Sequence, residues 1–298
     1  MSSVIDLADV APADLAKVST AAGMYRLECL ETVGPSFDRA YALLDSYFGP
    51  RGELETWDTL AGFVRAGVLD YGAQMEGHYR MVLAWEGDTL VGVRDCYADL
   101  DLDAGVCIMA LSHSYVVPEC RRSGLAALFR AMPVTLGREV TARVCAKPPE
   151  ILLAAEMEPI DLSDPASIIR LVAYGRSGFS IIDPARLPYT QPDFREPPPT
   201  IGIPLMPVVR WTGHEAERSI PVHLAAAFPR LFHACHRHYL VPERVDPCEV
   251  HALRTLSRSP ADVALLPLPR SVDDADRIAP LLKERVLQGY PPRLRGPG

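Results

Sequence analysis

The sequence predicts an α/β chain of the α+β kind, and three observations predict it. Two strand-like runs, Tyr79–Trp85 and Thr89–Tyr97, are joined by the turn Glu86-Gly87-Asp88, which makes a hairpin. The apolar run Cys107–Leu111 continues through Tyr115, Val116 and Val117 and breaks at Pro118. It then passes through Arg121-Arg122-Ser123-Gly124 into a helical pattern of Leu125, Leu128, Phe129 and Met132. Two stretches with apolar residues three and four apart precede the hairpin, at Phe37–Leu44 and Thr56–Val68.

The remaining elements follow in order. Val4–Leu7 reads as a first strand. The helix Phe37–Leu44 stops before Gly49-Pro50, and the strand before the Arg/Gly turn starts near Gly105. Pro133 sits about two turns into the following helix, where it removes a hydrogen bond and predicts a kink or an early stop. Lys147-Pro148-Pro149 is a breaker, and Ile151–Met157 reads as a buried strand. Asp161–Pro165 starts a helix with Pro165 near its first position. That helix carries Ile168, Ile169, Leu171 and Val172 and ends near Gly178; Phe179–Ile182 is a short strand. Residues 183–207 are rich in proline, including Pro197-Pro198-Pro199, so 183–200 reads as a long loop suited to covering a substrate. Ile201–Trp211 is the last strand, paired with Phe179–Ile182, and its prolines place it at an edge or at bulges. Residues 213–298 read as mostly helical, at Pro221–His238, Cys248–Ser257 and Ser271–Gln288, with an apolar stretch at Val263–Leu268.

Thirty basic against 38 acidic residues leave a net charge of −8. That argues against non-specific nucleic-acid binding and favours a cationic substrate. The seven cysteines are scattered, odd in number and without a CxxC, and several lie in apolar runs, as reduced thiols do. The first residues, MSSVIDLADVAPADL, lack the basic and apolar regions of a signal peptide, and no apolar run approaches the ~20 residues that span a bilayer. A cytoplasmic protein without a membrane partner is expected.

The turn has a chemical use. A helix N-terminus presents unpaired N–H groups and a positive dipole end, so it attracts phosphate. Gly124 without a Cβ and Ala126 with only a methyl let an anion approach, and Arg121 and Arg122 add charge beside it. The residues YVVPECRRSGLA resemble the acyl-coenzyme A motif of the GNAT superfamily of N-acyltransferases, roughly V-x-P-x-x-[RQ]-x-x-G-x-[GA]. Val116, Pro118, Arg121, Gly124 and Ala126 meet every fixed position. Further on, Tyr174-Gly175-Arg176-Ser177-Gly178-Phe179 is similar to a second landmark of that family, Y-x-x-x-G-F, in the right order. The resemblance implies a mixed, mostly antiparallel central sheet flanked by helices over residues 1–212. Residues 213–298 form an extension outside it, usable as a lobe, a lid or a homodimer contact.

The resemblance also implies an activity: transfer of an acetyl group from acetyl-CoA to a primary amine of a small molecule or peptide, without a metal. Ser114, Tyr115 and Val116 would offer backbone groups to the pantetheine arm. Arg121, Arg122, Ser123, Gly124, Leu125, Ala126 and Ala127 would hold the pyrophosphate. A backbone N–H of the anchor strand would stabilise the oxyanion. Tyr174 matches the family's general acid, which protonates the leaving thiolate. For the base, Glu156, inside an apolar run, is the first candidate, with Glu158 on the same face; His113 is the runner-up, and a water chain is a third route. Transfer of longer acyl chains, or acyl-CoA binding without catalysis, are the alternatives.

Two weaker constellations remain. His233, Cys235, His236 and His238 crowd one helical segment, with His233 and His236 on one face, yet no second ligand pair follows, so packed or solvated side chains are expected. Asp99, Asp101 and Asp103 resemble the start of a calcium loop, but Ala110 stands where its glutamate belongs. A solvated loop, or an acidic rim that draws a cation, is expected there instead.

Overall fold

A computed structural model describes residues 5–193 and 202–290. The expected tail 291–298, Val4 and the Pro197-Pro198-Pro199 run lie outside those residues. The chain divides into two compact units, residues 1–153 and 154–298.

The first unit opens with α1 (Leu15–Met24), β1 (Arg26–Leu30), α2 (Pro35–Phe48) and α3 (Trp57–Ala66). Leu7 lies in a short 3₁₀ turn, Leu7–Asp9, not in a strand, because Asp6 caps that turn by accepting from the Ala8 N–H. The Thr56 hydroxyl likewise caps α3 by accepting from the Thr59 N–H at 3.2 Å. Then come β2 (Leu69–Gly72), the hairpin β3 (Met75–Glu86) and β4 (Thr89–Asp101), the anchor strand β5 (Val106–Val116) and α4 (Leu125–Val144). The strands run β1-β3-β4-β5 with β2 also on β3, and these pairings are antiparallel. Helix, helix, hairpin, long strand and Arg/Gly corner is the order the resemblance implies.

Two expectations fail here for physical reasons. Of the kink or early stop expected at Pro133, the stop does not occur: α4 runs through to Val144. Leu128, Phe129 and Met132 before the proline and Val134, Leu136 and Val140 after it are all buried, and that continuous apolar face outweighs the roughly 3 kcal/mol penalty of an interior proline. Asp99 and Asp101 do not form a solvated loop. They lie on β4, where Asp99 is fully buried and accepts from the Tyr71 hydroxyl at 2.8 Å. Burial pushes the Asp99 carboxyl up to about 8, the opposite of an acidic rim.

β6 (Glu150–Met157) leads from the first unit into the second. The second holds α5 (Pro165–Arg176), β7 (Ser180–Ile182), β8 (Thr190–Pro192), β9 (Gly202–Pro204), β10 (Met206–Trp211) and β11 (Ser219–Ile220). It ends with α6 (Val222–His236), α7 (Pro242–Leu256), β12 (Val263–Pro267) and α8 (Val272–Gly289). Asp164 caps α5 by accepting from Ala166 and Ser167 N–H, with Pro165 at its first position. β10 pairs with β7 as expected, Val208 facing Ile181. The expected strand from 201 is interrupted at Leu205, so Gly202–Pro204 pairs instead with β8, inside the stretch read as a loop. β12 pairs with the other side of β7 and β11 with β12, so the stretch after residue 212 adds two strands to this sheet as well as three helices.

Candidate functional site

The predicted site residues fall in both units. In the first, β5 ends at Val116 and a short 3₁₀ turn, Pro118–Cys120, redirects the chain toward α4. Arg122 and Gly124 both adopt left-handed backbone, with φ of 69° and 95°. For Arg122 that conformation costs about 1–2 kcal/mol, the kind of strain that collects at functional sites. The Ser123 hydroxyl donates to the Cys120 carbonyl at 2.7 Å and accepts from the Leu125 N–H at 3.3 Å, which fixes the corner. Buried Tyr25 lies against Ser123 and Cys120.

The glycine works differently from the expectation. A Cβ on Gly124 would come within 2.4 Å of the Lys17 carbonyl of α1. The missing Cβ therefore admits α1, not an anion, and the exposed side of the corner lies elsewhere. There Arg121 and Arg122 are exposed, Ala126 is exposed beyond them, and the Arg122 guanidinium makes no hydrogen bond or ion pair among the described residues. Arg121 reaches back toward the Val116 carbonyl at 3.4 Å. Leu125 and Ala127 are buried and shape the first turn of the helix rather than its surface. Two bidentate or close ion pairs, Arg138 with Asp9 and Arg130 with Asp14, tie the N-terminal segment to α4 behind the corner.

Just before the corner, β5 carries a β-bulge: Ser112 and His113 together oppose Asp95, between the pairs Cys96–Leu111 and Arg94–Ser114. Asp95 is fully buried. One carboxylate oxygen accepts from the His113 backbone N–H at 2.6 Å. The other accepts from the Tyr79 hydroxyl at 2.9 Å and lies 3.1 Å from His113 Nδ1. His113 Nε2 lies 2.7 Å from the Glu53 carbonyl and 3.8 Å from the Glu55 carboxylate, in the loop before α3. Burial alone would lower the His113 pKa. The charge and hydrogen bond of Asp95 outweigh it and raise it to about 9. Burial likewise works to raise Asp95, and the charge of His113 overrides it and lowers it. Asp95 and Tyr79 carry no motif, so sequence reading passed over both; an acid inside the strand-like run Thr89–Tyr97 was the available signal. Ser114 follows the bulge and is exposed, and Tyr115 and Val116 are half-buried.

In the second unit, Tyr174 sits in the last turn of α5, half-buried, its ring edge-on to Phe179 at 4.8 Å. Its carbonyl accepts from the Phe179 N–H across Gly178, whose φ of 83° lets the chain turn into β7. Glu156 on β6 accepts from the Tyr189 hydroxyl and from Gln191 Nε2, the latter at 3.0 Å. Glu158 is exposed, 3.5 Å from Arg170. Tyr189 is fully buried among Phe228, Phe232 and His233, and neither it nor Gln191 was singled out in the sequence. His233 and His236 are buried, and no group of three or more metal-ligating side chains occurs among the described residues. All seven cysteines are free thiols. No helix among the described residues is long and apolar enough to cross a membrane.

No protein-family model matches the sequence, and no curated protein matches it. Solved structures do. The chain is similar to a GNAT-family acetyltransferase from Staphylococcus aureus Mu50, at 13% identity and a TM-score of 0.37, over 62% of this chain and 99% of that one. It is similar to a Bacillus subtilis acetyltransferase in complex with CoA, at 16% identity and a TM-score of 0.34, over 63% and 98%. A Streptococcus agalactiae acetyltransferase matches at 14% identity and a TM-score of 0.37, over 62% and 98%. At these scores the likeness carries no argument about what this chain binds or does.

Proposed function

We propose that the protein is an acyltransferase that uses acyl-coenzyme A, with acetyl-CoA as donor and a primary amine as acceptor. The observation that supports it is the corner between β5 and α4. A bulged strand leads into a strained Arg/Gly turn, and two exposed arginines flank the N-terminus of a 20-residue helix. In this reading the pyrophosphate lies on the corner's N–H groups and arginines, and Ser114–Val116 offer backbone groups to the pantetheine arm. The amine nitrogen attacks the thioester carbonyl, the carbon–sulfur bond breaks, and the thiolate takes a proton. Tyr174 as the acid and Glu156 as the base keep the roles the resemblance gives them. The net negative charge of the chain favours a cationic acceptor. A cytoplasmic setting and a possible homodimer contact by residues 213–298 belong to the same reading.

The test starts from binding. A ligand of the folded state at a hundredfold excess over its Kd adds about 2.7 kcal/mol of stability, so acetyl-CoA raises the Tm, and Arg121→Ala with Arg122→Ala removes most of that rise. Release of free thiol from acetyl-CoA is then screened across amines, with Tyr174→Phe expected to lower kcat at unchanged acetyl-CoA binding. A larger Tm rise with longer acyl-CoAs moves the donor class. Binding without turnover on any amine makes this an acyl-CoA-binding protein, and no binding at all removes the proposal.

A further inference from the structure

His113 is placed like a base yet has no lone pair to offer. A carbonyl oxygen only accepts, so Nε2, 2.7 Å from the Glu53 carbonyl, donates. The facing Asp95 oxygen belongs to a carboxylate, which only accepts, and a lone pair on Nδ1, 3.1 Å away, would face its lone pairs; Nδ1 therefore donates as well, with the Ser112 hydroxyl, 3.1 Å from the same nitrogen, left to accept. A ring that donates from both nitrogens is an imidazolium. Its counter-charge is fully buried, and the same carboxylate also accepts the His113 backbone N–H at 2.6 Å. One aspartate thus holds both the main chain and the side chain of the bulged residue.

We propose, resting on the acyl-CoA reading, that Asp95 and His113 are a positioning pair that fixes the anchor-strand bulge and aims Ser114–Val116 at the acyl donor. They do not serve as the acid or base of the reaction. The bulge inserts one extra residue immediately before Ser114, so its geometry decides which way the next three N–H and C=O groups point. The other end of the ring fastens the loop before α3 through Glu53. The groups that face His113 are Asp95 from β4, with Tyr79 of β3 behind it, and Glu53 and Glu55 from the loop. The Phe48 ring of α2 lies at 4.9 Å, and the Ser112 hydroxyl at 3.1 Å from Nδ1. Both ring nitrogens are engaged, one by the buried Asp95 carboxylate and the other by the Glu53 carbonyl, an arrangement suited to holding geometry and not to passing protons.

The experiment follows His113 in the full-length protein labelled with ¹³C and ¹⁵N histidine, its resonance assigned by loss in His113→Gln. The expected result is an imidazolium signature at pH 7.5 that titrates near pH 9, and a shift of that titration to lower pH in Asp95→Asn. Titration near the ordinary value of 6.5, or a neutral ring at pH 7.5, overturns the pair. The positioning role is read separately, per folded molecule. Asp95→Asn is expected to weaken acetyl-CoA binding at least tenfold, with Asp95→Glu restoring part of it. If Asp95→Asn lowers only the Tm and leaves acetyl-CoA affinity unchanged, the positioning role is overturned. If the wild type binds no acyl-CoA, the functional reading fails and with it the positioning role, while the histidine titration still decides the buried pair.

Discussion

His113 in the first unit and His233 in the second are the same side chain at nearly the same burial, yet one is charged and the other neutral. His113 is 8% exposed with its pKa raised to about 9, and His233 is 0% exposed with its pKa lowered to about 4. Burial disfavours the imidazolium in both. The difference is the neighbour. His113 faces the Asp95 carboxylate across two strands of one sheet. His233 Nε2 donates to the Thr190 carbonyl, 3.0 Å away; the ring stacks on Tyr189 and has Arg237 nearby to repel a proton. Burial fixes how much a charge costs, and one carboxylate decides whether it is present.

The strongest way to break the contrast is to remove that carboxylate. Asp95→Leu leaves an imidazolium or a newly neutralised ring in the interior, with the His113 and Tyr79 donors unpaired. The expected loss is about 3–5 kcal/mol in urea unfolding at pH 7. At pH 10, where the ring is neutral in either protein, the loss shrinks. A loss under about 1 kcal/mol at pH 7 contradicts the assignment of a buried ion pair.

The next effect is the pH dependence of stability, and the two histidines push it in opposite directions. His113 has a folded pKa above its unfolded 6.5, so its contribution is complete below pH 6.5 and is lost as pH rises through 9. The gap of 2.5 pH units corresponds to about 3 kcal/mol. His233 has a folded pKa below 6.5, so its contribution is complete above pH 6.5 and is lost as pH falls toward 4. His236, held well below its ordinary value by burial and by the neighbouring His233, adds to the acid-side loss. Urea midpoints measured from pH 4 to 10 are expected to fall at both ends. His113→Gln flattens the alkaline end and His233→Phe the acid end. If either variant flattens the wrong limb, the two charge states have been assigned the wrong way round.

How far the sequence carried this reading depended on how local each feature is. The β5–α4 corner was legible because its parts lie within about a dozen consecutive residues, and a proline, two arginines and a glycine each leave a backbone mark. The role of Gly124 was not, because the Lys17 carbonyl that fills its Cβ space comes from a helix more than a hundred residues earlier. That helix, Leu15–Met24, and β1 after it were missed, since their short apolar patterns have little periodicity of their own. Glu156 stood out as a charge in an apolar run. Its donors Tyr189 and Gln191 did not, because they are joined to it only by the fold, 33 and 35 positions away. Asp99 was misread because alternating Asp and Leu describes a strand with a buried acid as well as it describes a loop.

The smallest expected effect tests a neutral donor to a carboxylate in the second unit. Glu156 is a carboxylate like Asp95, and two of its donors are neutral: the Tyr189 phenol and the Gln191 amide. The ring that carries the phenol is also the one stacked on His233, at 5.1 Å and 16°. A phenol satisfies the carboxylate there without calling for a proton on the imidazole beside it. Burial and the negative charge of Glu156 hold the Tyr189 phenol well above its ordinary pKa, so it remains a donor over the whole working range. Tyr189→Phe deletes one hydroxyl and keeps the ring packing. The expected cost is about 1.5 kcal/mol in urea unfolding, the low end for a hydrogen bond to a charged group because Gln191 still holds the carboxylate, with His233 still neutral. If Glu156 takes the amine's proton, the same variant lowers kcat at unchanged acetyl-CoA affinity, because the carboxylate is then free to turn away. A loss as large as that of Asp95→Leu would mean that Tyr189 and Glu156 behave as a charged pair after all, and the contrast between the two units would disappear.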